Sequence, residues 1–153
     1  MKRGISLLLV LVFMLGMTAC GGKNVKDVNM EELYQQLLET MPEMILIEDA
    51  DMRLNLMGIQ EGDCVQVVTA VCADGLRTDE VWLIEAKDAA ALERITTLAE
   101  NRLVAKGEES ITYSPEQYAI VQKAVTVTEG LYFALVVSPD VDALKASVEA
   151  SVK

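Results

Sequence analysis

A short apolar run near the N-terminus, ended by a cysteine, limits which part of this chain can belong to a folded domain. Lys2 and Arg3 precede the run, which covers residues 5–17, and Ala19 and Cys20 follow it. A run of about 13 residues is too short to cross a hydrocarbon core as a helix, which needs roughly 20. It fits the apolar core of a secretory signal, so the folded domain must be built from the residues after it.

The residues that end this run predict lipid attachment at Cys20. Cleavage of a bacterial lipoprotein needs a compact residue before the cysteine, here Ala19, and a thiol that receives diacylglycerol. We therefore expect residues 1–19 to be a signal peptide and residues 20–28 to be a lipidated cysteine with a short tether. Two or more acyl chains hold a protein stably on a membrane, whereas one is marginal. The alternative is an uncleaved membrane helix, which the polar residues 21–24 disfavour.

Composition favours one acidic domain after cleavage. Removing 19 of the 153 residues leaves 134, enough for a single domain with a substantial core. The full chain has a net charge of −11, and losing Lys2 and Arg3 makes it −13. Such a charge disfavours nucleic acid and favours cations or basic partners, or it simply keeps the domain soluble. The chain has no histidine, which removes the commonest general base and the commonest zinc ligand.

The other two cysteines, Cys64 and Cys72, lie in a segment that reads as one extended strand. Eight steps of about 3.3 Å place their Cα atoms roughly 26 Å apart. A disulfide tolerates a Cα separation of at most about 7 Å. We expect two free, buried thiols that share one face of the strand.

Capping and turn signals predict the order of the elements. Asn29, Asp88 and Ser114 are placed to cap helices, and Glu129-Gly130 is placed to close a hairpin. The predicted elements are a helix from Asn29 to before Pro42, strands at 63–73 and 80–86, a long helix from Asp88 to Gly107, a short helix to about Lys123, strands at 124–128 and 131–137, and a last helix after Ser138-Pro139. Residues 43–62 receive no assignment.

This order, α-ββα-α-ββα, predicts an α+β fold. We expect residues 29–153 to form a single two-layer sandwich, in which two hairpins make a mainly antiparallel four-stranded sheet and the helices cover one face.

No residue pattern points to catalysis. Gly21-Gly22-Lys23 follows no strand and so fails as a phosphate loop, and no Gly-x-Ser-x-Gly motif is present. The acidic groups at residues 48–51 and at Asp79-Glu80 could ligate a cation or transfer protons, but neither has the spacing of a calcium loop. Solvated acidic loops are the simpler interpretation. We therefore predict no enzyme, no catalytic residue, no cofactor and no metal site.

The aromatic residues divide into core and surface candidates. Trp82 alternates with Ile84 and Ala86, which favours core packing over ligand stacking. Tyr113 and Tyr118 flank the predicted short helix and are less constrained. They are our candidates for a surface contact.

Several short motifs resemble those of a known family. They are Thr78-Asp79-Glu80-Val81, Lys87-Asp88, Tyr113-x-Pro115-x-Gln117-Tyr118, and Gly130-x-Tyr132 followed by Ser138. Over residues 41–146 the chain resembles small, uncharacterised lipoproteins of Gram-positive bacteria that carry a domain of unknown function. The resemblance implies an envelope-facing domain outside the cytoplasmic membrane. It brings no cofactor and no catalytic residue with it.

The sequence thus favours a lipid-anchored, non-enzymatic accessory or binding domain on the extracytoplasmic face of a cell membrane. Its expected partners are membrane lipid, through diacylglyceryl-modified Cys20, and an envelope or membrane protein. A small solute-binding lipoprotein that serves a transporter is the first alternative. A carboxylate-based or cation-dependent enzyme is the second.

Overall fold

The computed structural model describes residues 27–153, so the predicted signal peptide, Cys20 and most of the tether lie outside the described residues. A single antiparallel sheet has the strand order β1-β2-β3-β5-β4. The strands are β1 Met44–Leu46, β2 Cys64–Cys72, β3 Glu80–Ala86, β4 Val125–Glu129 and β5 Tyr132–Val137. The helices are α1 Met30–Leu37, α2 Ala50–Met57, α3 Ala89–Tyr113, α4 Pro115–Gln122 and α5 Val141–Val152.

The α+β class, the antiparallel sheet and its two hairpins are confirmed. The sheet has one strand more than the predicted four. This fifth strand, β1, lies in residues 43–62, to which no element was assigned, and pairs with the end of β2. It is only three residues long, too short for an alternating pattern to be recognised in the sequence.

Helices cover both faces of the sheet, whereas the sequence predicted helices on one face. Val81 and Leu83 pack into one core with α1 and α5, and Trp82 and Ile84 pack into a second core with α3. All six residues of β5 are buried. Strands covered on both faces are apolar throughout rather than alternating, and this is the pattern of β3 and β5. Trp82 is fully buried, which confirms its assignment to the core.

Three predicted helix starts are confirmed, and the fourth is wrong, because the last helix has Asp140 rather than Ser138-Pro139 at its N-cap position. The side chains of Asn29, Asp88 and Ser114 each accept a hydrogen bond from a main-chain N–H in the first turn of the following helix. Within the described residues, no helix is both long and apolar enough to cross a bilayer.

The predicted end of the long helix at Gly107 is wrong, because α3 continues to Tyr113. Gly107 lies where α3 passes close to α4. A Cβ added there would be 3.7 Å from a ring carbon of Tyr118 and 3.8 Å from the amide nitrogen of Gln122. These are ordinary contact distances, so Gly107 lies within the helix at a position that could hold a side chain, and it does not stop the helix.

Cys64 and Cys72 lie at the two ends of β2, and both are free thiols, as the sequence predicted. The prediction that they share a face is wrong. A register shift between Cys64 and Gln66 inserts an extra residue, and such a bulge changes which side chains face which core. Cys64 packs against the α3 core, whereas Cys72 lies opposite Met44, which packs against the α1–α5 core.

Candidate binding site at the edge of the sheet

The difference in length between β1 and β2 leaves part of the sheet edge open. β1 pairs only with the last three residues of β2, and the Ile47 N–H then donates to the Thr69 carbonyl at 2.8 Å. After this bond the chain turns away into α2. No strand within residues 27–153 pairs with the outer edge of residues 64–68. The side chain of Val65 at this edge is 62% exposed.

A cavity of about 320 Å³ lies at this open edge, and we call it the β2-edge cavity. It is lined by Glu31 of α1, the end of β1 with the two residues after it (46–48), Arg53 of α2, Glu61, and the side of β2 between Cys64 and Thr69. Residues from five separate segments therefore meet there, although they are distant in the sequence.

Arg53 is buried beside the cavity, with 6% of its surface exposed. Its Nη1 donates to the carbonyls of Ile47 and Glu48, both at 2.8 Å, and its Nη2 donates to Glu61 Oε2 at 2.5 Å. Its Nε has no partner among the described residues. The guanidinium thus fastens α2 to the end of β1 and retains one unused donor.

Thr69 is the second buried residue with an unused polar atom. It is 1% exposed, and its Oγ1 has no hydrogen-bond partner among the described residues. Leaving such a group unsatisfied costs about 1–3 kcal/mol. Thr69 and Arg53 both line the cavity, but their unpartnered atoms are themselves buried, so a ligand would reach them only by displacing part of the lining.

The cavity lining is acidic. Glu31, Glu48 and Glu61 face a single basic residue, Arg53. Burial raises the pKa of the Cys64 thiol to about 11, and the charges of Glu61 and Asp63 add to this effect. Cys64 is therefore protonated at neutral pH, and a protonated thiol is neither a good nucleophile nor a good metal ligand.

Three of the carboxylates that the sequence offered for chemistry, those of Asp49, Asp79 and Glu80, are held in ion pairs or a helix cap. Asp79 and Glu80 bind different basic side chains, Arg77 for the first and Arg102 and Lys106 for the second, so they do not converge on one cation. Asp79 pairs with Arg77 through contacts of 2.9 and 3.1 Å. Asp49 caps α2 by accepting from the Met52 N–H at 2.8 Å.

Glu80 is fully buried and is the centre of a polar cluster between β3 and α3. It accepts hydrogen bonds from Arg102 and, at 2.7 Å, from Trp82 Nε1, and it forms an ion pair with Lys106 at 2.9 Å. Burial alone would raise the pKa of Glu80, but the hydrogen bonds from Arg102 and the charge of Lys106 hold it below its ordinary value. The ionised carboxylate fixes α3 on the sheet.

Asp63 is held in a similar way near the start of β2. It pairs with Arg94 at 2.7 Å and with Lys87 at 3.1 Å. Hydrogen bonds from these two residues lower the pKa of Asp63. Within residues 27–153 no group of three or more cysteine, aspartate or glutamate side chains is arranged to hold a metal ion.

The family-like motifs meet around Thr78. Gln117 Oε1 accepts from the Thr78 N–H at 2.8 Å and from the Thr78 hydroxyl at 3.0 Å. Lys106 donates to the Thr78 carbonyl at 3.0 Å. The motif residues Thr78 and Gln117, together with Lys106, therefore join the loop before β3 to α3 and α4, which is a structural role.

The predicted contact residues lie elsewhere. Tyr113 is the last residue of α3 and is 46% exposed, and Tyr118 on α4 is half-buried against Gly107. Neither lines the β2-edge cavity, and their role as a surface contact stays a prediction.

Sequence reasoning missed Arg53. Its signal is that it is the one basic residue between Lys26 and Arg77, in an acidic and apolar stretch.

Comparison with known proteins gives one match. Residues 39–138 match a family described as a domain of unknown function, DUF4358. This range includes all of the cavity lining except Glu31. No curated protein and no solved structure matches the chain. Because the match covers more than half of its length, the chain belongs to the DUF4358 family.

Proposed function

We propose that this chain is a lipid-anchored binding domain on the extracytoplasmic face of a membrane, and that it binds its partner at the β2-edge cavity. One observation carries the binding part of the proposal. Arg53 and Thr69 both line this cavity, and each has one buried polar atom without a partner among the described residues. Since buried polar groups in native proteins are almost always hydrogen-bonded to protein or to ordered water, a bound partner or a water would complete these two.

The surface of α2 supports this location. The helix that carries Arg53 also exposes Met52, Leu54 and Leu56, each to nearly half of its surface. Met52 and Leu56 are one turn apart and therefore adjacent on the helix surface, and exposed apolar patches mark interaction sites. They would extend the contact area of a protein partner beyond the cavity.

The state of the charged groups favours binding over catalysis. Glu80, Asp63 and Asp79 are each occupied by basic side chains. A general acid or base needs a pKa near the working pH, and the pKa values of Glu80 and Asp63 are shifted away from neutrality.

The proposed anchor sets where the partner must be. It rests on the apolar run at residues 5–17 and on Ala19-Cys20. A tether of about eight residues reaches at most ~28 Å. The partner would therefore lie close to the membrane surface.

Binding of a small solute is the second candidate, and the cavity size favours it. Ligand pockets have volumes of about 300–1,000 Å³, and the β2-edge cavity, at about 320 Å³, falls at the lower end. The length of the domain counts against this candidate, because a two-lobed solute-binding protein needs more residues than the range 29–153 supplies. The solute would have to be small.

Site-specific photocrosslinking in native membranes tests the proposed function. A photoreactive amino acid at Val65, on the rim of the cavity, should capture a partner. The matched control is the same amino acid at Thr126, an exposed residue of β4 at the opposite edge of the sheet. Crosslinks from position 65 and not from 126 are expected. Equal crosslinking from both positions, or none from either, would contradict binding at this cavity.

A further inference from the structure

We propose that the occupant of the β2-edge cavity is an extended, basic peptide segment of a partner protein, which adds as a strand to the open edge of β2. This inference rests on the proposed binding function and names the class of ligand. Strand addition supplies affinity through main-chain hydrogen bonds and specificity through alternate side chains.

The main chain of β2 is oriented for such pairing. The Cys72 N–H donates to Asp79 of the neighbouring loop before β3, whereas the Thr69 carbonyl accepts from Ile47 after β1. Main-chain polar groups alternate in direction along a strand. The N–H and carbonyl of Val67 therefore point towards the open edge, in line with those of Thr69. No strand of residues 27–153 reaches them.

The unpartnered side-chain atoms match the chemistry of a peptide. A peptide carbonyl can accept from Arg53 Nε, which can only donate. The Thr69 hydroxyl can donate to a carbonyl or accept from an N–H. Both atoms belong to residues that line the cavity and are buried there, so the added strand would displace part of the lining to reach them.

The lining selects for positive charge on the peptide. Glu31, Glu48 and Glu61 outnumber Arg53, whose own charge is already paired with Glu61. Val65 and Val67 supply apolar surface between the acidic groups. Because side chains alternate along a strand, a segment with alternating apolar and basic residues fits this lining.

The other edge of the sheet lacks these features. β4 pairs only with β5, so its outer edge is also free of strands within the described residues. Its outward side chains include Thr126 and Thr128, which are exposed. Neither of the two unpartnered buried polar atoms of residues 27–153 lies on β4.

Three synthetic peptides test the inference by calorimetry with the full-length protein in detergent micelles. The first alternates valine and lysine over about seven residues with both ends blocked, the second replaces lysine by glutamate, and the third is the lysine peptide with alternate amides N-methylated. The lysine peptide should bind, and more weakly as salt rises, because exposed charges are screened. The glutamate and N-methylated peptides should each bind at least about tenfold more weakly, the latter because it loses main-chain donors.

Hydrogen exchange and variants locate the binding. The lysine peptide should slow amide exchange at Val67 and leave exchange at Thr126 unchanged. Thr69→Val keeps the shape of the side chain but removes the hydroxyl, so affinity should fall about fivefold, the effect of one hydrogen bond. Thr126→Val is the matched control and should bind as the wild type does. At the exposed rim, Val65→Lys should weaken binding and Val65→Glu should strengthen it.

The failure of this inference is distinguishable from the failure of the proposed function. If no peptide binds but Val65 still forms specific crosslinks, the peptide class is wrong and binding at the cavity stands. Equal affinity for the lysine and glutamate peptides, or unchanged exchange at Val67, would also overturn strand addition. If Val65 forms no crosslinks and only an ordered water joins Arg53 Nε to Thr69 Oγ1, both proposals are wrong.

Discussion

At the scale of single residues, the polar groups buried in this domain fall into two kinds. Glu80, Asp79 and Asp63 have basic partners that balance their charge. Arg53 and Thr69 each keep one atom without a partner among the described residues. Mutation should therefore change the stability of the domain in opposite directions at the two kinds of site. Removing one partner of a buried ion pair leaves the other charge buried without compensation, whereas removing an unpartnered polar atom removes its desolvation cost.

Thr69→Val should therefore stabilise the domain. The substitution removes an unsatisfied hydroxyl and adds a methyl group of similar size, so the free energy of unfolding should rise by about 1 kcal/mol. Chemical denaturation measures it. Thr126→Val on the exposed face of β4 should change stability by less than about 0.5 kcal/mol. A loss of stability in Thr69→Val would show that the hydroxyl already has a partner.

Glu80→Gln should destabilise the domain strongly. It leaves Arg102 and Lys106 beside a neutral amide in a buried position, and breaking a buried ion pair costs about 3–5 kcal/mol. Denaturant titration against Glu100→Gln, an exposed glutamate of α3, the helix that carries Arg102 and Lys106, isolates the effect. Equal stability of the two variants would mean that the Glu80 cluster does not hold α3 on the sheet.

The same group makes stability depend on pH. The pKa of Glu80 is lower in the folded state than the ordinary glutamate value of about 4.3. Its contribution is therefore complete above that value and is lost as the pH falls through the folded pKa. Asp63, whose pKa is also lowered, acts in the same direction. Below pH 5 the wild type should lose stability more steeply than Glu80→Gln, and parallel curves would contradict this assignment.

At the scale of elements, glycine has different roles in two helices. Gly58 ends α2 with a φ of 77°, in the left-handed region, and an added Cβ would be 2.8 Å from Leu98 Cδ2. Gly107 lies inside α3, and an added Cβ there would make only ordinary contacts with α4. A helix-stop role fits Gly58 and not Gly107.

The same substitution at these two positions should have opposite effects. Gly107→Ala should raise the free energy of unfolding by up to about 1 kcal/mol, since alanine favours the helix interior. Gly58→Ala should lower it, because the backbone there is unfavourable for a residue with a Cβ. Thermal melts of the two variants provide the comparison. Destabilisation by Gly107→Ala would mean that the α3–α4 contact tolerates no side chain.

Elements with local signals could be predicted from the sequence. Caps at Asn29, Asp88 and Ser114 and the turn at Gly130, whose φ is 59°, depend on neighbouring residues alone. The short strand β1 and the covering of both sheet faces depend on distant contacts, which single-sequence patterns do not carry. The β2-edge cavity exists because β1 is shorter than β2, so it could not be predicted before β1 was known.

At the scale of the whole molecule, we propose a lipid anchor at Cys20 and a binding site at the open edge of β2. We predict that Cys20→Ser abolishes labelling by a fatty-acid probe and leaves precursor or released protein. Cys64→Ser is the control, because this half-buried thiol should not affect labelling. Unchanged labelling of Cys20→Ser would refute the anchor.

The most direct test of the whole account is thiol labelling of Val65→Cys with a membrane-impermeant maleimide, on intact cells and on purified protein. Thr126→Cys is the control, because both positions are exposed in the structure. We predict that cells label Thr126→Cys without lysis, and that Val65→Cys is labelled much more slowly on cells than after purification, because the partner covers the β2 edge. Labelling that requires lysis would contradict the extracytoplasmic location. Equal rates for Val65→Cys on cells and on purified protein would contradict binding at this edge.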